Sequence, residues 1–308
     1  MNQSRRRFLT QSALTVAGLS LLKSKTFASA FAAGHIVGLQ LYSVRDNMKT
    51  PQDALGTLKQ LSGAGYRYVE HANYLERKFY GYTAPEFKKI LDDLNLKMRS
   101  GHTELSAEHW DDSKNDFTDV WKNTVEDAAT VGQKYVISPW LEDAYRKNYD
   151  DLKRYMEVFN KSGGLCKKSG MKFGYHNHDF EFSQKLNDMK VFDIILQNTD
   201  PSLVAQQLDI GNMYHAGGIA LDIMKQYPNR FELMHVKDEI KTEKAGEMGG
   251  GYESTILGAG ILPVKEIVDL GKKAGGTMHF IIEQESYQGK TPVDSVKEDL
   301  AIMKKWGY

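Results

Sequence analysis

The sequence predicts a single (β/α)₈ barrel, and three observations carry that expectation. From residue 34 to Tyr308, helix-period segments alternate with short apolar strands eight times. Gly-containing turns repeatedly close a helix just before the next strand. Several strands run straight into metal-ligand or acid/base side chains, as in Phe173-Gly-Tyr-His-Asn-His-Asp-Phe-Glu-Phe182. A barrel gathers such strand ends on one face, where the following loops build a site.

The elements follow in order. Strand one covers residues 36–41. Residues 51–62 carry apolar side chains at Ala54, Leu55, Leu58 and Leu61, the spacing of an amphipathic helix, and Gly63 and Gly65 close it before strand two at 66–70. A helix over 84–94, opened near Pro85, precedes strand three at 97–101. A helix over 117–131, ended by Gly132, leads to strand four at 134–138. The helix at 149–168, closed by Ser169 and Gly170, leads to strand five at 171–176. Helices at 191–197 and 221–226 flank strand six at 204–209 and precede strand seven at 231–236. A helix over 264–274, opened by Pro263, precedes strand eight at 278–283, and the last helix covers 293–305.

A doubly wound open sheet is the rival arrangement. No GxGxxG follows strand one, so dinucleotide binding has little support, and Gly249-Gly-Gly251 lacks the Lys-Ser/Thr of a phosphate loop. No linker or low-complexity stretch interrupts residues 34–308, so one domain is expected. Basic and acidic residues balance at 40 each, which argues against an electrostatic nucleic-acid binder. Hydrophobic content of 41% is enough for a folded core. Cys166 is the only cysteine, so no internal disulfide is expected, and its place on a helix reads as a buried structural thiol.

Residues 1–33 read as a targeting segment. Ser4-Arg-Arg-Arg-Phe-Leu9 has the form of a twin-arginine export signal. An apolar run, 13–22, and small-x-small sites at Ala28-Ser-Ala30 and Ala30-Phe-Ala32 follow. The run is shorter than the ~20 residues that span a bilayer. The expected location is therefore the periplasm, without stable membrane insertion once the signal is cleaved.

The strand ends deliver the candidate site. Strand two gives Glu70 and strand three His102. Strand five gives His176, His178 and Glu181, and strand six Asp209 and Asn212. Strand seven gives His235 and Lys237, and strand eight Glu283 and Glu285. Strand four adds Trp140. Imidazole and carboxylate suit divalent transition metals and also move protons near neutral pH. Bland readings stand beside these. Asp209 also reads as a cap for the next turn, and His235 as a hydrogen-bonded core residue. Glu283 sits in an apolar run, where a buried carboxylate needs a cationic partner.

The motifs Tyr-His-Asn-His-Asp-Phe-Glu-Phe (175–182), Leu-Asp-Ile-Gly-Asn (208–212), His-Val-Lys-Asp (235–238) and Ile-Ile-Glu-Gln (281–284) occur in this order. In this the chain resembles the sugar phosphate isomerase/epimerase superfamily, the xylose-isomerase-like or AP-endonuclease-2-like TIM barrels, over residues 36–306. The resemblance implies one divalent metal ion, Mn, Mg, Co or Zn, held by Asp209, His235, Glu283 and a strand-five residue. Strand five departs from the family pattern. His176 stands where many relatives have Glu, so the first ligand lies open between His176, His178 and Glu181.

The resemblance further implies proton abstraction beside a carbonyl, with Glu283, His176, His178 and Lys237 as the catalytic candidates. Glu70, His102, Glu181, Asn212 and Trp140 are the substrate-contact candidates. The expected partner is an unphosphorylated sugar or keto-sugar, undergoing isomerisation, epimerisation, hydration or elimination. The rival readings are a non-catalytic carbohydrate-binding barrel and an AP-endonuclease-like phosphodiesterase. Asn212 replaces a His ligand that those nucleases carry. The oligomeric state is left open.

Overall fold

The structure, a computed structural model, describes residues 35–243 and 251–308. The expected export signal and Gly249-Gly250 lie outside the described residues. Eight parallel strands close into a barrel: β1 (Ile36–Gln40), β2 (Tyr68–His71), β3 (Lys97–His102), β4 (Tyr135–Ser138), β5 (Lys172–His176), β6 (Val204–Asp209), β7 (Leu233–Val236) and β8 (His279–Ile282). Each pairs with its sequence neighbours, and β8 pairs with β1 to close the ring. The main helices are α1 (Pro51–Ala64), α2 (Ala84–Asp93), α3 (Asp119–Val131), α4 (Tyr149–Lys168), α5 (Val191–Asn198), α6 (Ala220–Gln226), α7 (Val264–Leu270) and α8 (Pro292–Lys305). The predicted fold class and all eight strand–helix units are present.

Local sequence explains the helices. At α1, Thr50 and Asp53 form a reciprocal capping box, Pro51 occupies the first turn, and Gly65 at φ 105° ends the helix in the left-handed region. The α4 helix buries Leu152, Tyr155, Met156, Phe159 and Cys166, a stripe at spacings of three and four. Each fully buried large apolar side chain on such a face contributes about 1.5–3 kcal/mol. Cys166 is buried as expected, and burial pushes its thiol up to about 12. The helix predicted over 264–274 differs in kind: α7 stops at Leu270, and Gly271–Gly275 continue as a wider π turn. Among the described residues, no helix is long and apolar enough to cross a membrane.

The period of two along each strand divides the side chains. Tyr135, Ile137, Ala205, Leu233 and Ile281 form a small apolar cluster of their own. Two to four positions further along the same strands the apolar run gives way to polar residues: Gln207 and Asp209 on β6, His235 on β7, Glu283 just beyond β8. On β2, a register shift between Val69 and Glu70 interrupts the ladder to β3. Such a bulge re-aims the side chain that follows it.

Short additions in the βα loops were not anticipated. A three-stranded sheet (Tyr74–Leu75, Lys78–Phe79, Tyr82–Thr83) follows β2. Two-stranded ribbons follow β3 (Trp110–Asp111, Asp116–Phe117), β5 (Lys185–Leu186, Met189–Lys190) and β7 (Asp238–Lys241, Tyr252–Thr255). Two short helices, Phe180–Ser183 and Ile210–His215, carry the chain away from β5 and β6. All of these sit at the carboxyl ends of the strands and build up the mouth of the barrel.

Candidate metal and catalytic site

A cavity of about 380 Å³ opens at that mouth. Tyr42, Tyr74, His102, Glu104, His176, His178, Asn212, Glu283 and Glu285 are among its lining residues. Just beneath it lies a dense polar cluster. Asp209 and His235, paired in the β6–β7 register, are both fully buried. His235 Nδ1 stands 3.0 Å from Glu283 Oε2 and 3.7 Å from Asp209 Oδ2. Lys237 Nζ lies 3.7 Å from Asp209 Oδ2 and 3.2 Å from Glu283 Oε2, and it also bonds Glu285. The other oxygen of Asp209 accepts from the Asn212 backbone N–H at 2.7 Å, capping the Ile210–His215 helix. One oxygen of Asp209 thus caps the helix, and the other is left facing His235 and Lys237. Asn177 locks the two strand ends together by bonding both the N–H and the C=O of Asp209.

Glu70 ties this cluster to the far wall of the barrel. Its carboxylate accepts from Gln40 Nε2 and Gln207 Nε2, both at 2.9 Å. His235 Nε2 is 2.6 Å away and His102 Nε2 3.2 Å. The Gln207 amide nitrogen donates to Glu70, so its oxygen must accept. That oxygen faces His102 Nε2 at 2.7 Å and His176 Nδ1 at 3.1 Å. This assigns the proton of His176 to Nδ1. Its bare Nε2 then faces Asp209 Oδ2 at 3.9 Å and Asn212 Nδ2 at 3.5 Å.

The charges follow from these contacts. Burial opposes ionisation of Asp209 and Glu283, but Lys237 and His235 more than reverse it, and both carboxyls sit below their ordinary range. Burial likewise disfavours charge on His235, yet Glu283 and Glu70 raise it well above a normal histidine. Burial and the neighbouring His235 push His176 far down, and burial brings His178 to about 4. Two neutral imidazoles thus face an ionised acid–base cluster.

A divalent cation fits the donor set. Asp209, His235 and Glu283 bring one ligand atom each to within 4.8 Å of one another, and so do His102, His176 and His235. Asp209 Oδ2 is buried without a hydrogen-bond partner. Lys237 and His235 offset its charge from 3.7 Å, beyond hydrogen-bond reach, so this oxygen keeps a position at which a cation could bind directly. Glu70 behind the distal nitrogen of His235 completes a carboxylate–histidine–metal arrangement.

The xylose isomerase-like TIM barrel family matches residues 58–306. The chain belongs to this family. An inosose dehydratase from Clostridium perfringens strain ATCC 13124 is 34% identical over 111 residues, 36% of each chain. A second, from C. perfringens strain 13, is 29% identical over 160 residues, 48% of this chain and 52% of the relative. The chain thus spans about a third to a half of the length of these curated relatives. A sugar phosphate isomerase/epimerase from Parabacteroides distasonis superposes with a TM-score of 0.75 at 28% identity, covering 89% of this chain and 94% of that one.

Within this xylose isomerase-like barrel, some sequence expectations need correction. Glu70, expected to contact substrate, is 1% exposed and committed to four side chains below the cavity. Glu181, expected at the site, points away from it. Its oxygens engage the Tyr175 hydroxyl and the His178 backbone N–H, it is fully buried, and burial lifts it to about 7. It is neither a cavity group nor part of the ligand cluster. Lys237 reaches the cavity through Glu283, Glu285 and Asn212. Trp140 stands edge-on to His178, with ring centroids 5.1 Å apart. His102, His176, His178, Asn212 and Glu283 line the cavity. Sequence reasoning missed Gln207, whose signal was the alternation Ala205-Gln207-Asp209 on one strand.

Proposed function

We propose that the protein is a divalent-metal-dependent enzyme that removes a proton beside the carbonyl of a neutral, unphosphorylated keto-sugar or cyclitol ketone. It then completes either isomerisation or loss of water. One observation carries this reading. The cation-fitting set Asp209, His235 and Glu283, of which Glu283 lines the cavity, lies close to an uncharged imidazole, His178, that lines it too. Asp209, His235 and Glu283 would hold the metal, with His176 Nε2 as the strand-five candidate. Bound there, it would supply Lewis-acid stabilisation of the developing oxyanion.

The remaining roles belong to the chain. The His178 ring lines the cavity and burial keeps it neutral at physiological pH, so it can accept the α-proton. The protonated imidazole then returns that proton. Delivery to the former carbonyl carbon, with the α-hydroxyl proton passing to the former carbonyl oxygen, gives isomerisation. Delivery to a departing β-hydroxyl gives water and a new C=C bond, with no other reactant needed. Asn212 and Glu285 are placed to hold hydroxyls, and Lys237 fixes Glu283 and Glu285 in position. Acidic side chains and no Lys or Arg are found among the lining residues, which favours a neutral substrate over a phosphate ester. The relatives named inosose dehydratase support the dehydration branch.

Solvent-exchange NMR in D₂O tests the reading, with inosose and a panel of keto-hexoses in the presence of Mn²⁺, Co²⁺, Mg²⁺ or Zn²⁺. His178→Gln is expected to lower α-proton exchange by ~10²–10⁴-fold while metal content is unchanged. Undiminished exchange in that variant removes His178 as the base. Sugar binding with no exchange anywhere makes the protein a binder.

We also propose that the enzyme works in the periplasm after twin-arginine export, supported by Arg5, Arg6 and the apolar run that follows. Cell fractionation is expected to find a shortened product outside the cytoplasm, and Arg5→Lys/Arg6→Lys to block its release. A full-length cytoplasmic product from the unaltered sequence refutes export.

A further inference from the structure

A second depression adjoins the cavity. It measures about 640 Å³ and shares Tyr74, Thr103 and Glu104 with it as a common wall. Ligand sites run from ~300 to ~1,000 Å³, so the inner cavity alone is near the bottom of that range. The outer groove is the larger of the two.

Its walls are fixed in place. Arg77, in the small sheet after β2, makes a bidentate pair with Asp127 of α3, at 2.9 and 2.7 Å. The Tyr74 hydroxyl donates to the same carboxylate at 2.6 Å. These bonds hold one side of the groove against the other and pair the Arg77 charge with a carboxylate, although the side chain stays half exposed. The groove is also lined by three acids, Glu76, Glu104 and Glu108, together with His109, hydroxyl side chains and the amide of Asn123. An anionic occupant is disfavoured, and a neutral one rich in hydroxyls is suited.

Apolar exposure points to the same place. Leu75 and Val120, 71% and 60% exposed, both line the groove. Tyr42 lines the cavity, and Trp140 stands beside His178. Four of the seven exposed large apolar side chains found among the described residues therefore gather around this mouth. Apolar patches beside acceptors match a sugar ring, which has C–H faces and a hydroxyl edge.

We propose that the groove is a second sugar subsite. The substrate is then a neutral disaccharide or glycoside whose reacting ring occupies the cavity and whose other ring lies against Leu75 and Val120. This rests on the keto-sugar reading above and extends it from one ring to two.

Calorimetry on the full chain with Mn²⁺ tests it, with glucose and cellobiose as probes. Cellobiose is expected to bind tighter than glucose by on the order of tenfold. The double variant Leu75→Asp/Val120→Asp should bring that ratio to about one, with glucose affinity unchanged. A wild-type ratio near one, a ratio that the variant does not move, or no binding of either sugar overturns the subsite. Proton exchange on inosose, run in parallel, separates the two claims. Exchange without a cellobiose preference leaves the catalytic reading standing alone. A preference that the double variant abolishes, with no exchange, leaves a two-ring binding site and no enzyme.

Discussion

An Asp209→Asn protein is expected to fold normally and to lose divalent-cation affinity by more than ~100-fold, beyond the 10–100-fold typical of outer-shell changes. The substitution is nearly isosteric and its Oδ1 can still accept from Asn212, so the helix cap survives. What disappears is the charge on Oδ2, the buried oxygen that lacks a hydrogen-bond partner. His235→Ala and Glu283→Gln should lose metal in the same way. Elemental analysis after dialysis, with titration calorimetry, reads the result. Unchanged stoichiometry in all three variants would sink the site.

The same measurement carries a pH signature. Without metal, Glu283 and Glu70 hold His235 in its protonated form to a pH above that of an ordinary histidine. A ligating imidazole must be neutral, so binding expels that proton. Affinity should therefore rise with pH up to the raised value for His235 and level off above it. Calorimetry in buffers of different ionisation enthalpy would report about one proton released. A pH-independent affinity between 6 and 9 would show that His235 is not a ligand.

Replacing Glu70 by Ala should be the most damaging change that leaves the cavity lining intact. It strips the acceptor from Gln40, Gln207, His102 and His235 at once, inside the barrel. Removing one partner of a buried charged network costs about 3–5 kcal/mol, so thermal unfolding should shift down sharply. The metal site should suffer as well, by 10–100-fold in affinity, because His235 loses the carboxylate that orients it. A residue that only touched substrate would behave differently, raising KM with little change in melting temperature or metal content. Glu70→Gln should recover part of the stability and little of the affinity. Its carbonyl still accepts, but its amide N–H₂ confronts other donors. Wild-type stability in Glu70→Ala would overturn the positioning role.

How much of this was legible in the sequence depends on the length scale of the signal. Strands and helices repeat hydrophobicity over five to twenty residues, so the eight units could be read to within a few positions. Asp209, His235 and Glu283 end apolar strands, and the barrel topology alone brings those ends together. Depth was harder to read. Glu70 follows a register shift that no local pattern marks, and Glu181 turns back onto Tyr175 from a four-residue helix. Most strands over the mouth have two residues, too short to show a period, and those of the ribbon after β7 have only four. One ribbon did carry a signal: Asn187 and Asp188, both at positive φ, are favoured turn residues. Glu76 and Arg77 make a positive-φ turn from residues that give no such warning. On strand five, which nitrogen of His176 Gln207 leaves bare depends on assembled contacts that no local pattern shows.

The hydrogen bond between Glu70 and His235 joins residues 165 positions apart, and this bears on how the chain reaches its native state. A partially wound sheet lacking β7 and β8 would hold Glu70 and Asp209 in an apolar interior with their cationic partners still outside. Such a species is penalised electrostatically, which discourages stable open intermediates. Ring closure and charge compensation then become one event, and because it joins distant parts of the chain it falls late in folding. The polar centre of the molecule thus acts as a checkpoint: only a chain that has drawn its last strand against its first can keep those carboxylates dry.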